Sequence, residues 1–367
     1  MVFAKNSDRP AGEVQLAMPF GRRPSAGCTL RTLYLSIGDT GAHAVFLSCP
    51  TWLWGAEHGV NEFGVAIGNE RVSTVHGAAG ARPALIGMDM VRLGLERARS
   101  AEGALDIVID LLETYGQGGI ADAVHGEAYD SSFLIADRRQ AFVLDTSGAT
   151  YAAASFPHGT AISDRLSVGS AWIQASPELD AGDDFDRFRD PASPTASADV
   201  RLSAGRAFLA AQRSTATGLT PAAAASHLRD HDVGVCMHGP ERSVTSASFI
   251  TVLPHDLDEG APLRAYVALG SPCVSVYVPA FLRTVAGPPP FVPIELSSET
   301  MWRSADTLRT QVEADPAALR HIREVLDPLE EELWSEADEI VERPDRWSEV
   351  ASSWGRRALS ALHSCAR

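Results

Sequence analysis

Between Ala84 and Gly116 the sequence ALIGMDMVRLGLERARSAEGALDIVIDLLETYG repeats its apolar residues at three- and four-residue spacing, the period of a helix with one buried face. The pattern breaks near Ser100 to Gly103, so it predicts two amphipathic helices, the first starting near Ile86 and the second closing at Gly116. The flanking sequence is strand-like. TLRTLYLSI and HAVFLS read as two strands around the turn Gly38-Asp39-Thr40-Gly41, and GVAIGNE (Gly64 to Glu70) as another. SSFLIADRRQAFVLDTSGATYAAAS predicts a hairpin turning at Asp137 to Gln140; TSASFITVL and RAYVALGSPCVSVYV read as further strands. After Pro293 the chain becomes charged and helical, with Trp302, Trp334, Trp347 and Trp354 as anchors facing the core. Strands, a helical pair, more strands and then helices describe an α+β fold and not a doubly wound sheet. No internal repeat is visible. The expected organisation is one body over 1–293, with a mobile polar insertion at about 178–200 (ELDAGDDFDRFRDPASPTASADV), and a helical region, 294–367, packed on it.

A net charge of -16 and a pI near 5.1 argue against nucleic acid or an anionic membrane as partner, because both require clustered cations. The most apolar stretch, Ala44 to Ala56, is too short and too interrupted by Pro50 to span a bilayer, and no signal peptide precedes it. Five scattered cysteines with no CxxC pair suit reduced thiols, so a cytoplasmic location is expected.

Lys5 is the only lysine; of 31 Lys and Arg residues the other 30 are arginines. The sequence therefore has no GxxxxGK[ST] loop and no S-x-x-K serine, and a pyridoxal Schiff base would have to use Lys5 in a polar context without a phosphate loop. There is also no G-x-S-x-G, HExxH or G-x-G-x-x-G, and no cofactor is expected. One metal-like cluster stands out: His227, His231, Cys236 and His238 in HLRDHDVGVCMH, the first two four apart on a predicted helix. Zinc ligation and local hydrogen bonding at a helix end are both open for it, and the weaker expectation is metal.

The stretch Lys5-Asn6-Ser7-Asp8-Arg9-Pro10, followed by Glu13-Val14-Gln15, resembles the KNSDRPxxEVQ signature of secernins and related bacterial dipeptidases. These are cysteine peptidases of the N-terminal nucleophile (Ntn) hydrolase superfamily. Further matching stretches are WLWGAEHGVNEFGVAIGNERV, GMDMVRLGLERA, LLETYGQGG, SSFLIADRRQAFVLDTSG, AISDRLSV and CMHGPERSVTSAS, in order from Lys5 to about Phe281. The resemblance implies an αββα four-layer sandwich of two antiparallel sheets flanked by helices, and amide-bond hydrolysis by a first-residue cysteine whose own α-amino group is the base. It implies that Lys5 steadies the thiolate, that Asp8 orients the amine and that the Asn61 side chain donates to the oxyanion. Arg9 would meet a substrate carboxylate or form a structural salt bridge, while Trp54, His58 and Glu70 would line the substrate pocket.

Two positions depart from the pattern. Only Met1-Val2-Phe3-Ala4 precede Lys5, so the expected nucleophile lies upstream of Met1. Asp164 in AISDRLSV stands where the family usually has asparagine; an ionised carboxylate cannot donate to an oxyanion. The functional expectation is a secernin-like amidohydrolase or dipeptidase acting on small peptides or aminoacyl compounds. The alternatives are an acyl- or aminoacyl-transferring or condensing enzyme on the same fold, motivated by Asp164, and a non-catalytic binding protein. A homo-oligomer is also expected.

Overall fold

The computed structural model describes residues 1–77, 81–239, 243–253, 262–283 and 291–366. In chain order its strands are β1 (Val2–Arg9), β2 (Gln15–Phe20), β3 (Thr29–Arg31), β4 (Ser36–Gly38), β5 (Val45–Pro50), β6 (His58–Asn61), β7 (Ala66–Val72), β8 (Asp130–Ala136), β9 (Ala141–Ser147), β10 (Thr150–Ser155), β11 (Gln174–Ala175), β12 (Val244–Val252), β13 (Pro262–Leu269) and β14 (Val278–Arg283). The helices are α1 (Gly87–Arg97), α2 (Ala101–Tyr115), α3 (Ala196–Arg213), α4 (Pro221–Leu228), α5 (Glu299–Ala314), α6 (Ala318–Ile340) and α7 (Trp347–Cys365). The class is α+β, with antiparallel sheets, flanking helices and a helical C-terminal part. Among the described residues no helix is long and apolar enough to cross a membrane.

The chain forms two compact units. One contains Met1, Arg22–His43 and Leu53–Leu219; the other contains Val2–Gly21, Ala44–Trp52 and Thr220–Arg367. The region 294–367 thus groups with the first strands of the chain.

In the first unit β6 to β11 pair in sequence order as an antiparallel sheet. The hairpin between β8 and β9 turns where the sequence predicts it, because Asp137 accepts the N–H groups of Arg139 and Gln140 at 2.8 and 3.1 Å. The helix pair also falls where predicted. Ser100 caps α2 by accepting from Gly103 N–H, and Gly116, at φ 73°, ends it in a conformation that disfavours a side chain. Strand alternation puts Ile67 on the sheet face covered by α1, where its side chain nears Gly94. The opposite face carries Val72, Val143, Ala152 and Ala154, which pack with Leu166, Leu179 and Phe185. The predicted insertion at 178–200 therefore contributes buried side chains, Phe185 and Leu179, and α3 begins inside it.

Three strand expectations change. TLRTLYLSI is not one strand but the small hairpin β3–β4, closed by Thr32 N–H to Leu35 O at 2.8 Å. β6 has no counterpart in the sequence reading, being four residues with an interior glycine. RAYVALGSPCVSVYV divides into β13, a single 3-10 turn at Pro272–Val274, and β14, because Gly270 at φ 74° and Pro272 interrupt the ladder.

The second unit holds an antiparallel sheet in the order β1-β12-β13-β14 and the antiparallel pair β2–β5, which packs against β12 and β13. Helices α6 and α7 pack on β14. Trp302, Trp347 and Trp354 are buried as predicted; the Trp347 ring stacks on Phe281 at 4.7 Å, and Trp302 Nε1 donates to Ser246 O at 2.9 Å. Trp334 is half-buried, its Nε1 donating to Tyr277 O at 2.8 Å.

Candidate functional site

β1 carries the signature stretch, and its burial alternates strictly. Phe3, Lys5, Ser7 and Arg9 point inward, and Lys5, paired with Phe249 of β12, is only 7% exposed. Phe249 meets the ring of Phe46 in β5 at 5.6 Å, so the sole ammonium lies on the apolar face between the β1–β12 sheet and the β2–β5 pair. Lys5 Nζ donates to Asn6 O at 3.0 Å. A register shift between Ser7 and Asp8 then interrupts the ladder. The polar side chains around that bulge are held individually. Asn6 Nδ2 donates to Leu228 O and Val235 O at 2.8 and 2.7 Å, and Thr245 Oγ1 donates to Asp8 Oδ1 at 2.7 Å. Arg9 Nε donates to Glu13 Oε1 at 2.6 Å with both side chains buried, which is the salt-bridge alternative for Arg9. Lys5, Asp8 and Arg9 thus all lie on strand β1 in the second unit, on either side of that register shift, and not in a turn.

The other five predicted residues belong to the first unit. Asn61 closes β6 and locks its turn: Oδ1 accepts from Phe63 and Val65 N–H, both at 3.0 Å, and Nδ2 donates to Leu95 O and Ala98 O at 2.9 and 2.8 Å. Both amide hydrogens satisfy carbonyls at the end of α1, which leaves none for an oxyanion. Trp54 lies under Arg92, whose guanidinium is 4.3 Å from the ring and donates to Trp54 O at 2.7 Å. His58 is fully buried. The register pairs His58 with Gly68 and Glu70 with Ser132, which puts His58 and Glu70 on one sheet face, opposite α1. On that same face Asp145 accepts from Ser132 Oγ at 2.6 Å and from the N–H groups of Ser167 and Val168. Burial raises the Asp145 carboxyl against those bonds. Asp145 thereby fixes the AISDRLSV loop. Within that loop Asp164 pairs with Arg201 of α3, while Arg165 pairs with Asp199 and Asp186. Asp164 is therefore neutralised by Arg201 and not by its neighbour.

A fully buried amide that the sequence reading passed over is Asn69. Among the described residues its side chain bonds only from Nδ2 to the Met88 sulfur, at 3.5 Å, and its Oδ1 has no partner. The available signal is an asparagine in mid-strand, which strand propensity disfavours. Gly87 makes room for it, since a Cβ there would come within 2.9 Å of Asn69 Nδ2 and 2.1 Å of Ser131 Oγ.

The histidine and cysteine cluster forms, with one member exchanged. His231, Cys236, His238 and Cys273 place one ligand atom each within 4.8 Å of one another. α4 ends at Leu228, so His227 and His231 do not share a helix, and the fourth member, Cys273, comes from 35 residues beyond His238. Spacing alone does not reveal that partner. Of the matched stretch CMHGPERSVTSAS, residues 240–242 lie outside the described residues. A cavity of about 460 Å³ adjoins the cluster at Cys273 and is lined also by Ser226, Arg229, Arg323, Glu330 and Trp334. Its two guanidiniums bond Glu330 and Asp327.

No protein-family model matches the chain. Similar solved structures include a mutant and a variant of the conjugated bile acid hydrolase from Clostridium perfringens, each 11% identical and covering 77% of this chain and 88% of theirs, with TM-scores of 0.45 and 0.44. The Caenorhabditis elegans ortholog of N-acylethanolamine-hydrolyzing acid amidase is 12% identical over 70% of this chain and 93% of its own, with a TM-score of 0.32. At such identities and scores the functional reading rests on the chain's own residues.

Proposed function

We propose that this chain is a secernin-like amidohydrolase of the N-terminal nucleophile type, cleaving an amide bond in a small peptide or aminoacyl compound. The observation that supports it is the buried Lys5 ammonium beside the β1 bulge, in the stretch that resembles the secernin signature. A fixed cation on an apolar face favours a thiolate, or the negative charge that develops on a carbonyl under attack, more strongly than it would in water. Asp8, oriented by Thr245, is the carboxylate that would set a neighbouring amine. In such chemistry the thiol of a first-residue cysteine attacks the carbonyl carbon, and its α-amino group takes the thiol proton and passes it to the leaving amine. Water then releases the acyl group. None of Cys28, Cys49, Cys236, Cys273 and Cys365 carries a free α-amino group.

A second reading, acyl transfer to an amine instead of water, is favoured by Asp164, whose carboxylate accepts from Arg201 where the resemblance implies an asparagine that donates. One experiment tests both. The natural protein, its first residue established by intact mass and N-terminal sequencing, is incubated with dipeptides and aminoacyl amides, with and without hydroxylamine. Hydrolysis abolished by thiol alkylation supports the amidohydrolase; hydroxamate formation with little hydrolysis supports transfer. Absence of both from a protein that begins with cysteine contradicts both.

A further inference from the structure

Two turns of the second unit bring four donors to one point. The first begins where α4 ends: Asp230 Oδ1 accepts from Asp232 and Val233 N–H at 2.7 and 3.3 Å, and Asp230 O accepts from Cys236 N–H at 2.9 Å. Gly234, at φ 69°, supplies the left-handed step that this tight loop requires. The loop folds Cys236 and His238 back onto His231, whose ring meets that of His238 edge-on at 4.8 Å. Cys273 arrives from the 3-10 turn Pro272–Val274 after β13. His238 Nε2 is 2.9 Å from Cys273 Sγ and 3.4 Å from Cys236 Sγ.

Two thiols and two imidazoles are the donor set that borderline-soft zinc prefers, and the set includes no carboxylate. A tetrahedral zinc with Zn–S near 2.3 Å and Zn–N near 2.0 Å keeps its ligand atoms about 3.3 to 3.8 Å apart, so shifts of about 1 Å convert the observed cluster into that geometry. Both sulfurs are buried, and His231 lies at the surface as an entry path. An independent feature is the outer partner of His238. Its Nδ1 is 3.9 Å from Glu313 Oε1, and Glu313 is held by Arg309 at 2.6 Å and by Gly239 N–H at 2.9 Å. At 3.9 Å the approach of His238 to Glu313 is a charge contact and not a hydrogen bond; a shift of about 1 Å, as metal binding requires, would bring the carboxylate within reach to fix the tautomer that presents the other nitrogen to a metal.

We propose that His231, Cys236, His238 and Cys273 form a closed zinc site. Binding Zn²⁺ displaces one proton from each thiol, so two thiolates balance the ion and the imidazoles stay neutral. Four protein donors leave no open coordination position, which makes the site structural. The metal ties down the loop whose Val235 carbonyl holds Asn6 and whose Met237 N–H donates to Thr245, the residue that holds Asp8. This inference does not depend on the amidohydrolase reading.

The test is metal content of the reduced full-length chain, together with absorption after replacement by Co²⁺. One zinc per chain is expected, and the cobalt form should show thiolate charge-transfer bands and intense visible bands of tetrahedral symmetry. Cys273→Ser and His238→Asn should each weaken Zn²⁺ binding at least tenfold in competition with a chromophoric chelator, while His227→Ala leaves it unchanged. Circular dichroism identifies any variant that fails to fold, and Glu313→Gln, outside the ligand set, should weaken binding less while keeping the cobalt spectrum tetrahedral. A folded, reduced chain that binds no Zn²⁺ or Co²⁺, a cobalt spectrum without thiolate bands, or a Cys236–Cys273 disulfide in protein isolated under reducing conditions would overturn the proposal.

Discussion

Asp89 stands at the start of α1, where its carboxylate accepts Ile86 N–H at 3.3 Å, yet it is fully buried. Burial lifts its pKa to about 7, against the lowering effect of the Ile86 and Leu33 N–H groups. The folded protein therefore keeps a proton between pH 4 and 7 that the unfolded chain has released, so stability falls as pH rises through that window and levels off above it. At 1.36 kcal/mol per pH unit, the loss over about three units is roughly 3 to 4 kcal/mol. Asp89→Asn should remove this slope, so that chemical denaturation at pH 8 shows the variant gaining on the wild type relative to pH 4.5. The two asparagines separate structure from chemistry at the same scale. Asn61→Ala strips four buried hydrogen bonds and should cost about 2 to 4 kcal/mol in a melt, whatever it does to turnover. Asn69→Ala removes one weak bond to sulfur and should melt close to wild type.

Among elements, the β8–β9 hairpin and the α1–α2 pair were legible because their signals are local: an Asx turn, a Ser cap, a terminal glycine and a helical period broken at one place. α3 and β6 were not. ASADVRLSAGRAFLAAQR opens in small polar residues that read as a loop, and Thr195 Oγ1 donating to Asp199 at 3.0 Å anchors the helix start without a recognisable cap pattern. Strand β6 is preceded by Gly55, which lets the chain pass against α1: a Cβ there would come 2.4 Å from the Met88 carbonyl carbon, and Ala56 N–H donates to Met88 O at 3.0 Å. Gly55→Ala should destabilise the fold by about 2 kcal/mol or more, whereas Gly21→Ala, with nothing within 4 Å, should stay within about 0.5 kcal/mol in the same urea titration.

At the scale of the whole molecule the sequence conveyed the class, α+β with antiparallel sheets and a helical end, because hydrophobic period switches along the chain are a global signal. It could not convey how the chain is shared between units, since Val2–Gly21 and Ala44–Trp52 join Thr220–Arg367 through pairings of high sequence separation. The candidate site was legible in the same uneven way. Lys5 was singled out as a candidate by composition and signature and Asp8 by the signature, whereas Cys273 became a partner of His238 only through the end of β13. In the proposed reaction the one lysine, Lys5, is a buried cation that serves amide chemistry. This role is tested most directly by comparing Lys5→Met with the wild-type natural protein in amine release from dipeptides, alongside their urea transitions. Turnover should fall at least about 100-fold while the urea transition shows that the variant still folds cooperatively. Equal turnover by the two proteins would contradict that role.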